Sequence, residues 1–241
     1  MTKYQNQTRF LVAIDCIIFG FDGQNIKLLL IQRGFEPEKG KWSLMGGFVQ
    51  ANESVEEAAN RILKSLTGLK GVYLEELNVF SSSDRDPIER TISIAYFALI
   101  DIHQYEKQLT EEYHPEWVPI NKIPNLIFDH NKMVAQAKEK LKYKAVFHPI
   151  LFELLPHQFT LPQLLNLYEG IFNMKFDKRN FIRKLLATGF LIRQKEKEKA
   201  NSKKGAFYYK LNKKKYKANF QEIINIIPNK GNFKQIIFIS K

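Results

Sequence analysis

The stretch Leu44–Leu69 reads LMGGFVQANESVEEAANRILKSLTGL, and the rest of the chain is organised around it. Ser54 and Glu57 form an S-x-x-E pair. At this spacing a hydroxyl caps the third amide of a helix and the carboxylate reaches back to the cap residue. From there Val55, Ala58, Ala59, Ile62, Leu63 and Leu66 recur at three- and four-residue intervals, which puts them on one stripe of a helix. Just before it, Gly46-Gly47 lets the backbone pass close to a ligand, because no Cβ intervenes. Taken alone, these features also fit a capped amphipathic helix with a packing role only.

The flanks add context. Leu11 to Phe19 reads as a buried strand, the run from Phe21 to Asn25 as a turn with an Asp-Gly hairpin signal, and Lys27 to Arg33 as the return strand. Residues 72–80 and 91–100 read as two further strands around SSSDRDPIER; Asp84-Arg85-Asp86-Pro87 within it is, by itself, an ordinary charged turn. Residues 116–140, EWVPINKIPNLIFDHNKMVAQAKEK, end in a helix patterned by Met133, Val134, Ala137 and Leu141. His130 orients the loop before that helix in this reading, rather than serving as a base or metal ligand.

Charge divides the chain. Residues 1–140 hold 16 Lys and Arg against 19 Asp and Glu, a balance of −3, whereas residues 141–241 hold 21 against 6, a balance of +15. A near-neutral front and a strongly basic back imply two tasks. The basic half calls for a polyanion, nucleic acid before anionic membrane. The single cysteine, Cys16, rules out an intramolecular disulfide and fits a reducing compartment. No apolar run reaches membrane-spanning length, and the start lacks the apolar core of a signal peptide, so a cytoplasmic location is expected.

The back half reads as a winged helix: a first helix over AVFHPILFELLP, a second over FTLPQLLNLYEGIF capped by Thr160, and a third over DKRNFIRKLLATG. Asp177 is the N-cap of the third helix and Gly189 its C′ residue. Phe181, Ile182, Leu185 and Leu186 are expected to face the core, with Lys178, Arg179, Asn180, Arg183 and Lys184 opposite. FLIRQK and AFYYKL read as two strands around a polar loop from Glu196 to Gly205. Ten lysines and two glutamates lie between Lys195 and Lys217. The second helix of a helix-turn-helix enters the major groove. Arg and Asn there read base edges, while wing lysines such as Lys197, Lys199, Lys203 and Lys204 neutralise phosphates.

The opening stretch resembles the Nudix box, Gly-x5-Glu-x7-Arg-Glu-U-x-Glu-Glu-x-Gly-U. Gly47, Glu53, Arg61, Leu63 and Gly68-Leu69 fall on its pattern, while its other acidic positions hold Ile62, Ser65 and Leu66. In a working Nudix enzyme those positions share a helical face and hold Mg2+ or Mn2+, cations that require oxygen ligands. The resemblance therefore implies a Nudix domain without catalytic residues, metal or cofactor. Arg33-Gly34-Phe35-Glu36-Pro37, Trp42, Gly46-Gly47 and Phe128-Asp129-His130 resemble the ADP-ribose-related branch, although Met45 departs from the proline common before the glycines.

The two halves together resemble the NrtR group of Nudix-related transcriptional regulators. That resemblance implies an α+β chain: a Nudix-like α/β/α sandwich with a mixed sheet over residues 1–143, a winged helix-turn-helix domain over 144–222 and a tail of unassigned structure over 223–241. It implies a homodimer on a double-stranded DNA operator, a repressor of sugar utilisation that senses arabinose, another small sugar or a sugar nucleotide. Arg33, Glu36, Trp42, Gly47, Asp84, Arg85 and Asp129 are the candidate effector residues, the carboxylates accepting from sugar hydroxyls. The alternatives are an ADP-ribose-responsive regulator of NAD metabolism, an active Nudix hydrolase with a nucleic-acid module, and a plain interaction module.

Overall fold

The computed structural model of the protein describes residues 4–110, 112–147, 150–199 and 205–219. The N-terminal domain runs β1 (Leu11–Phe21), β2 (Ile26–Gln32), β3 (Trp42–Ser43), β4 (Met45–Phe48), α1 (Val55–Thr67), β5 (Glu75–Phe80), β6 (Thr91–Asp101), α2 (Ile102–Tyr105), a 3-10 turn, β7 (Glu116–Pro119) and α3 (His130–Phe147). Strands β1 and β6 pair in parallel along their full length, Leu11 opposite Thr91 and Phe21 opposite Asp101. Every other pairing in this sheet is antiparallel. The sheet is therefore mixed, in the order β3-β2-β1-β6-β5, with β4 also on β1 and β7 also on β2.

Alternation along β1 explains the layering, since successive strand side chains point to opposite faces. Ile17, Phe19 and Phe21 enter one core with Met133, Val134, Ala137 and Leu141 of α3. Ile14, Cys16 and Ile18 enter the other with Ala58, Ala59, Ile62 and Leu63 of α1. Helix α1 begins as its sequence dictates: Ser54 and Glu57 form the complete capping box, and Gly68 ends the helix in the left-handed region at φ 83°.

The C-terminal domain comprises α4 (Ile150–Glu153), β8 (Phe159–Thr160), α5 (Leu161–Phe172), α6 (Lys178–Ala187), β9 (Leu191–Glu198), β10 (Ala206–Leu211) and α7 (Lys213–Asn219). Its sheet has the order β8-β10-β9, so two helices precede a β9–β10 wing. Thr160 and Gln163 make a capping box for α5, Asp177 caps α6, and Gly189 follows it at φ 67°.

Three expectations need correction. Residues 145–147 belong to α3 and not to a separate first helix of the second domain. The buried series Met133, Ala137, Leu141 and Ala145 keeps a four-residue spacing, so α3 runs on to Phe147 and α4 is a short piece after it. The boundary at 143/144, expected inside or just after a helix, lies within α3, and the first core continues from α3 into Leu164, Leu167, Tyr168, Phe181 and Leu185 of the second domain. Leu186 is not in the core: it is 41 % exposed, because α6 packs through Phe181 and Leu185, one turn apart, and Leu186 lies about 100° round the helix from Leu185. Strand β9 extends to Glu198, shortening the expected loop. Lys203, Lys204 and the tail 223–241 lie outside the described residues. Among the described residues no helix is long and apolar enough to cross a membrane.

Candidate functional site

A groove opens over Gly46-Gly47 of strand β4, between Leu66 of α1 and His130 at the start of α3. Gly46 lies opposite Asp15, and Gly47 opposite Ile14, across the β1–β4 pairing. A Cβ on Gly46 would sit 2.5 Å from Asp15 Oδ1, and one on Gly47 3.0 Å from Ile62. The glycines are required by this close approach. The groove is lined by Arg33, Phe35, Gly47, Phe48, Leu66, Arg85, Asp86, Tyr113, Phe128 and His130, among others. The Arg33 guanidinium lies over the Phe35 ring at 4.0 Å and 5.5 Å from the centre of the Phe128 ring, and its Nε donates to the Phe35 carbonyl at 3.2 Å. Cation and aromatic faces hold each other in place.

Beneath the groove is a buried charge network. Arg85 donates to both carboxylate oxygens of Asp129, through Nε at 3.1 Å and Nη2 at 3.0 Å, and Nη2 also reaches Asp15 at 3.4 Å. Asp15 accepts from the Ser93 hydroxyl at 2.6 Å and lies 3.3 Å from His130 Nε2. Burial by itself would raise the Asp15 carboxyl. The His130 imidazole, the Ser93 hydroxyl and the Arg85 guanidinium outweigh it and hold the group below its usual range. His130 Nδ1 accepts from the Leu44 backbone N–H at 3.2 Å, so the ring pins the strand before the glycines to the start of α3.

Helix α1 meets the groove with apolar groups. Leu66 lines it, Ile62 is buried beneath Gly47, and the Ser65 hydroxyl is turned back to the Ile62 carbonyl at 3.1 Å. Glu53 is engaged by Arg61, whose Nε donates at 2.8 Å and whose Nη2 reaches the Phe48 carbonyl at 2.9 Å. The hydrogen bond from Arg61 lowers the Glu53 carboxyl to about 2. Isoleucine and leucine offer no oxygen to a hard cation, so this helix does not fit the metal of a working Nudix box. Among the described residues no group of three or more His, Cys, Asp or Glu could hold a metal ion.

Of the seven candidate effector residues, Arg33, Gly47 and Arg85 line the groove. Asp129 stands behind Arg85 as its partner. Trp42 packs instead against the first core, because in β3 it alternates with Ser43, which lines the groove. Glu36 is exposed on the adjoining loop, and Asp84 accepts from the Ser82 hydroxyl at the surface. Phe35, Phe48, Asp86, Tyr113 and Phe128 were not singled out as site residues. Phe35 and Phe128 stood inside the two blocks read for their resemblance; Tyr113 stands in a loop without a motif.

The second candidate surface is on α6 and the wing. Lys178, Arg179, Asn180 and Arg183 are exposed and Lys184 is half-buried. Arg183 Nη2 donates to Asn180 Oδ1 at 2.8 Å, which aligns these two polar side chains on one face. On the wing, Phe207 carries Arg193 at 3.6 Å and Lys197 at 4.4 Å from its ring centre. Lys199 is exposed at the end of β9.

Comparison with known proteins matches this division. Residues 9–138 match the NUDIX domain, and residues 151–211 match the NrtR DNA-binding winged helix domain. The chain is 32% identical to the ADPR responsive transcriptional repressor NtrR of Acinetobacter baylyi over 218 residues, 89% of this chain and 87% of that one. It is 37% identical over 145 residues to an ADP-ribose pyrophosphatase of Methanocaldococcus jannaschii, 60% of this chain and 80% of that protein. The crystal structure of Shewanella oneidensis NrtR with a 27mer DNA superposes with a TM-score of 0.69 at 27% identity, over 86% of this chain and 95% of that one. The Nudix domain of the same protein, complexed with ADP ribose, superposes with a TM-score of 0.50 at 29% identity, over 58% and 99%.

Proposed function

Because the chain belongs to the NrtR family of Nudix-related transcriptional regulators, we propose that it is a dimeric DNA-binding repressor whose Nudix domain binds ADP-ribose without hydrolysing it. The observation that carries this reading is the pairing of Arg33 and Arg85 with the aromatic walls Phe35, Phe48, Tyr113 and Phe128 in one groove. Guanidinium groups suit phosphate oxygens, and aromatic faces stack on a base. ADP-ribose presents both; a free pentose brings no charge for either arginine. The sugar effector expected from the sequence therefore gives way to the nucleotide alternative, which the relatives' own ligands also favour. Exposed Arg179, Asn180 and Arg183 on α6, with Lys197 and Lys199 on the wing, supply the DNA side, base readers and phosphate contacts respectively.

Hydrolysis is the second reading, favoured by the similarity to a pyrophosphatase. Against it stand Ile62, Ser65 and Leu66 on the helix face that would hold the metal. The test of the main reading is calorimetric titration of the full-length protein with ADP-ribose and with arabinose, followed by operator binding on a duplex selected from random sequences. ADP-ribose is expected to bind, to lose affinity in Arg33→Ala, and to shift operator affinity. Binding of arabinose alone would overturn the effector assignment, and no salt-dependent DNA binding would overturn the regulator.

A further inference from the structure

We propose that Arg85 is the switch residue of the molecule: an anionic group of the effector takes Arg85 from Asp129, and the exchange releases the start of α3, the helix that both domains share. This rests on the reading above, that a phosphate-bearing ligand enters the groove beside Arg85.

Three observations place the switch. First, Arg85 is at once a groove residue and the bidentate partner of Asp129, so one guanidinium serves either the ligand or the helix. A phosphate offers the same paired oxygens as a carboxylate and competes for the same donors. Second, Asp129 immediately precedes α3, and its carbonyl accepts from the Lys132 and Met133 N–H groups at 2.9 and 3.2 Å. A carboxylate released there still faces the positive end of a helix, which makes the exchange less costly than stranding a buried charge elsewhere. Third, α3 runs unbroken from His130 to Phe147 and shares one continuous core with Leu164, Leu167 and Tyr168 of α5. Any shift at its first turn is felt where the DNA-binding domain is seated. Two-state coupling of this kind is reciprocal: whatever disfavours the Arg85–Asp129 pair favours the ligand.

That reciprocity separates a switch from a merely structural ion pair. In full-length Asp129→Asn, the bidentate carboxylate that competes for Arg85 is gone and only the longer contact of Nη2 to Asp15 remains, so ADP-ribose is expected to bind more tightly, by roughly 5–150-fold. Operator affinity without ADP-ribose should move in the direction that ADP-ribose moves the wild type, and added ADP-ribose should move it little further. Asp129→Ser, which keeps a cap-forming side chain, should behave alike and serves if the amide variant does not fold. Arg85→Met should shift operator affinity in the same direction while weakening ADP-ribose. If both Asp129 variants bind ADP-ribose with unchanged or lower affinity while Arg85→Met loses it, the switch is overturned and the groove assignment stands. If Arg85→Met binds ADP-ribose as the wild type does, the groove assignment itself falls.

Discussion

Helices α1 and α6 are built alike and used in opposite ways. Each starts at an oxygen-bearing cap, Ser54 in one and Asp177 in the other, and each packs a short apolar stripe. In α1 the face toward the groove carries Ile62 and Leu66, and its arginine is spent on Glu53. In α6 the face away from the core carries Lys178, Arg179, Asn180 and Arg183, all exposed. The difference teaches that capping and periodicity determine where a helix lies, while chemistry resides in the few side chains on its uncovered face. A helix can keep its place whatever stands on its open face, and on α1 Ile62, Ser65 and Leu66 stand where the Nudix pattern has carboxylates.

The sharpest way to break this contrast is to look for turnover. ADP-ribose incubated with the protein and Mg2+ or Mn2+ is expected to stay intact, because metal stabilisation of a reacting phosphoryl group, about several kcal/mol, is missing from α1. Chelator-sensitive release of AMP and ribose phosphate would show that α1 has kept its chemistry. On the α6 side, Arg183→Ala should cost roughly 1–3 kcal/mol and relax preference at particular base pairs, whereas Lys197→Ala should weaken all duplexes alike and reduce the salt slope by about one. Titrations on operator variants at several salt concentrations separate the two; uniform loss in the helix variant and altered base preference in the wing variant would reverse their roles.

The shared construction gives a smaller effect. Ser54→Ala and Asp177→Ala should each cost about 1 kcal/mol in denaturant unfolding, and neither change removes a group from the base-reading or groove-lining set. The smallest effect is pH-dependent. Glu53 is held at about 2 against an ordinary 4.5 through its hydrogen bond from Arg61. A carboxyl lowered by folding contributes stability that is complete above its unfolded value and is lost as pH falls through the folded one. The melting-temperature gap between wild type and Glu53→Gln should therefore be constant above about pH 4.5 and close progressively towards pH 2. A gap that widens on acidification would contradict the Glu53–Arg61 pairing.

Most of the fold was legible because its signals are local. The Ser54–Glu57 capping box, the caps at Thr160 and Asp177, the Asp-Gly turn of β1–β2 and the apolar stripe of α1 need only neighbours in sequence. The groove was legible in part. Arg33, Gly47 and Arg85 stood in recognisable blocks, but the aromatic walls come from separate places, and Tyr113 had no motif to mark it. Trp42 lies outside the groove lining for a simple reason: strand side chains alternate, and one residue of register decides between groove and core. The partnership of Arg85 with Asp129 spans 44 residues, and a charged turn in a sequence does not say which carboxylate it will meet. The end of α3 was missed because the first helix of the second domain was read as beginning at Ala145, whereas α3 keeps its four-residue apolar spacing through that residue.

Gly170 lies in the last turn of α5, at the seam between the two domains, where an added Cβ would come within 2.9 Å of Ile26 Cγ1. The contact makes the two halves poor candidates for free exchange. A DNA-binding domain borrowed from a relative with alanine or serine at that position would wedge against β2 and arrive tilted, carrying its reading helix off axis. In the proposed two-fold dimer the tilt would be doubled in opposition, so the distance between the two copies of α6, which has to match about one turn of duplex, would no longer fit the same operator. Position 170 and position 26 must therefore change together if one operator is to be kept, and a glycine within a helix, unfavourable by itself, is the cost of that alignment.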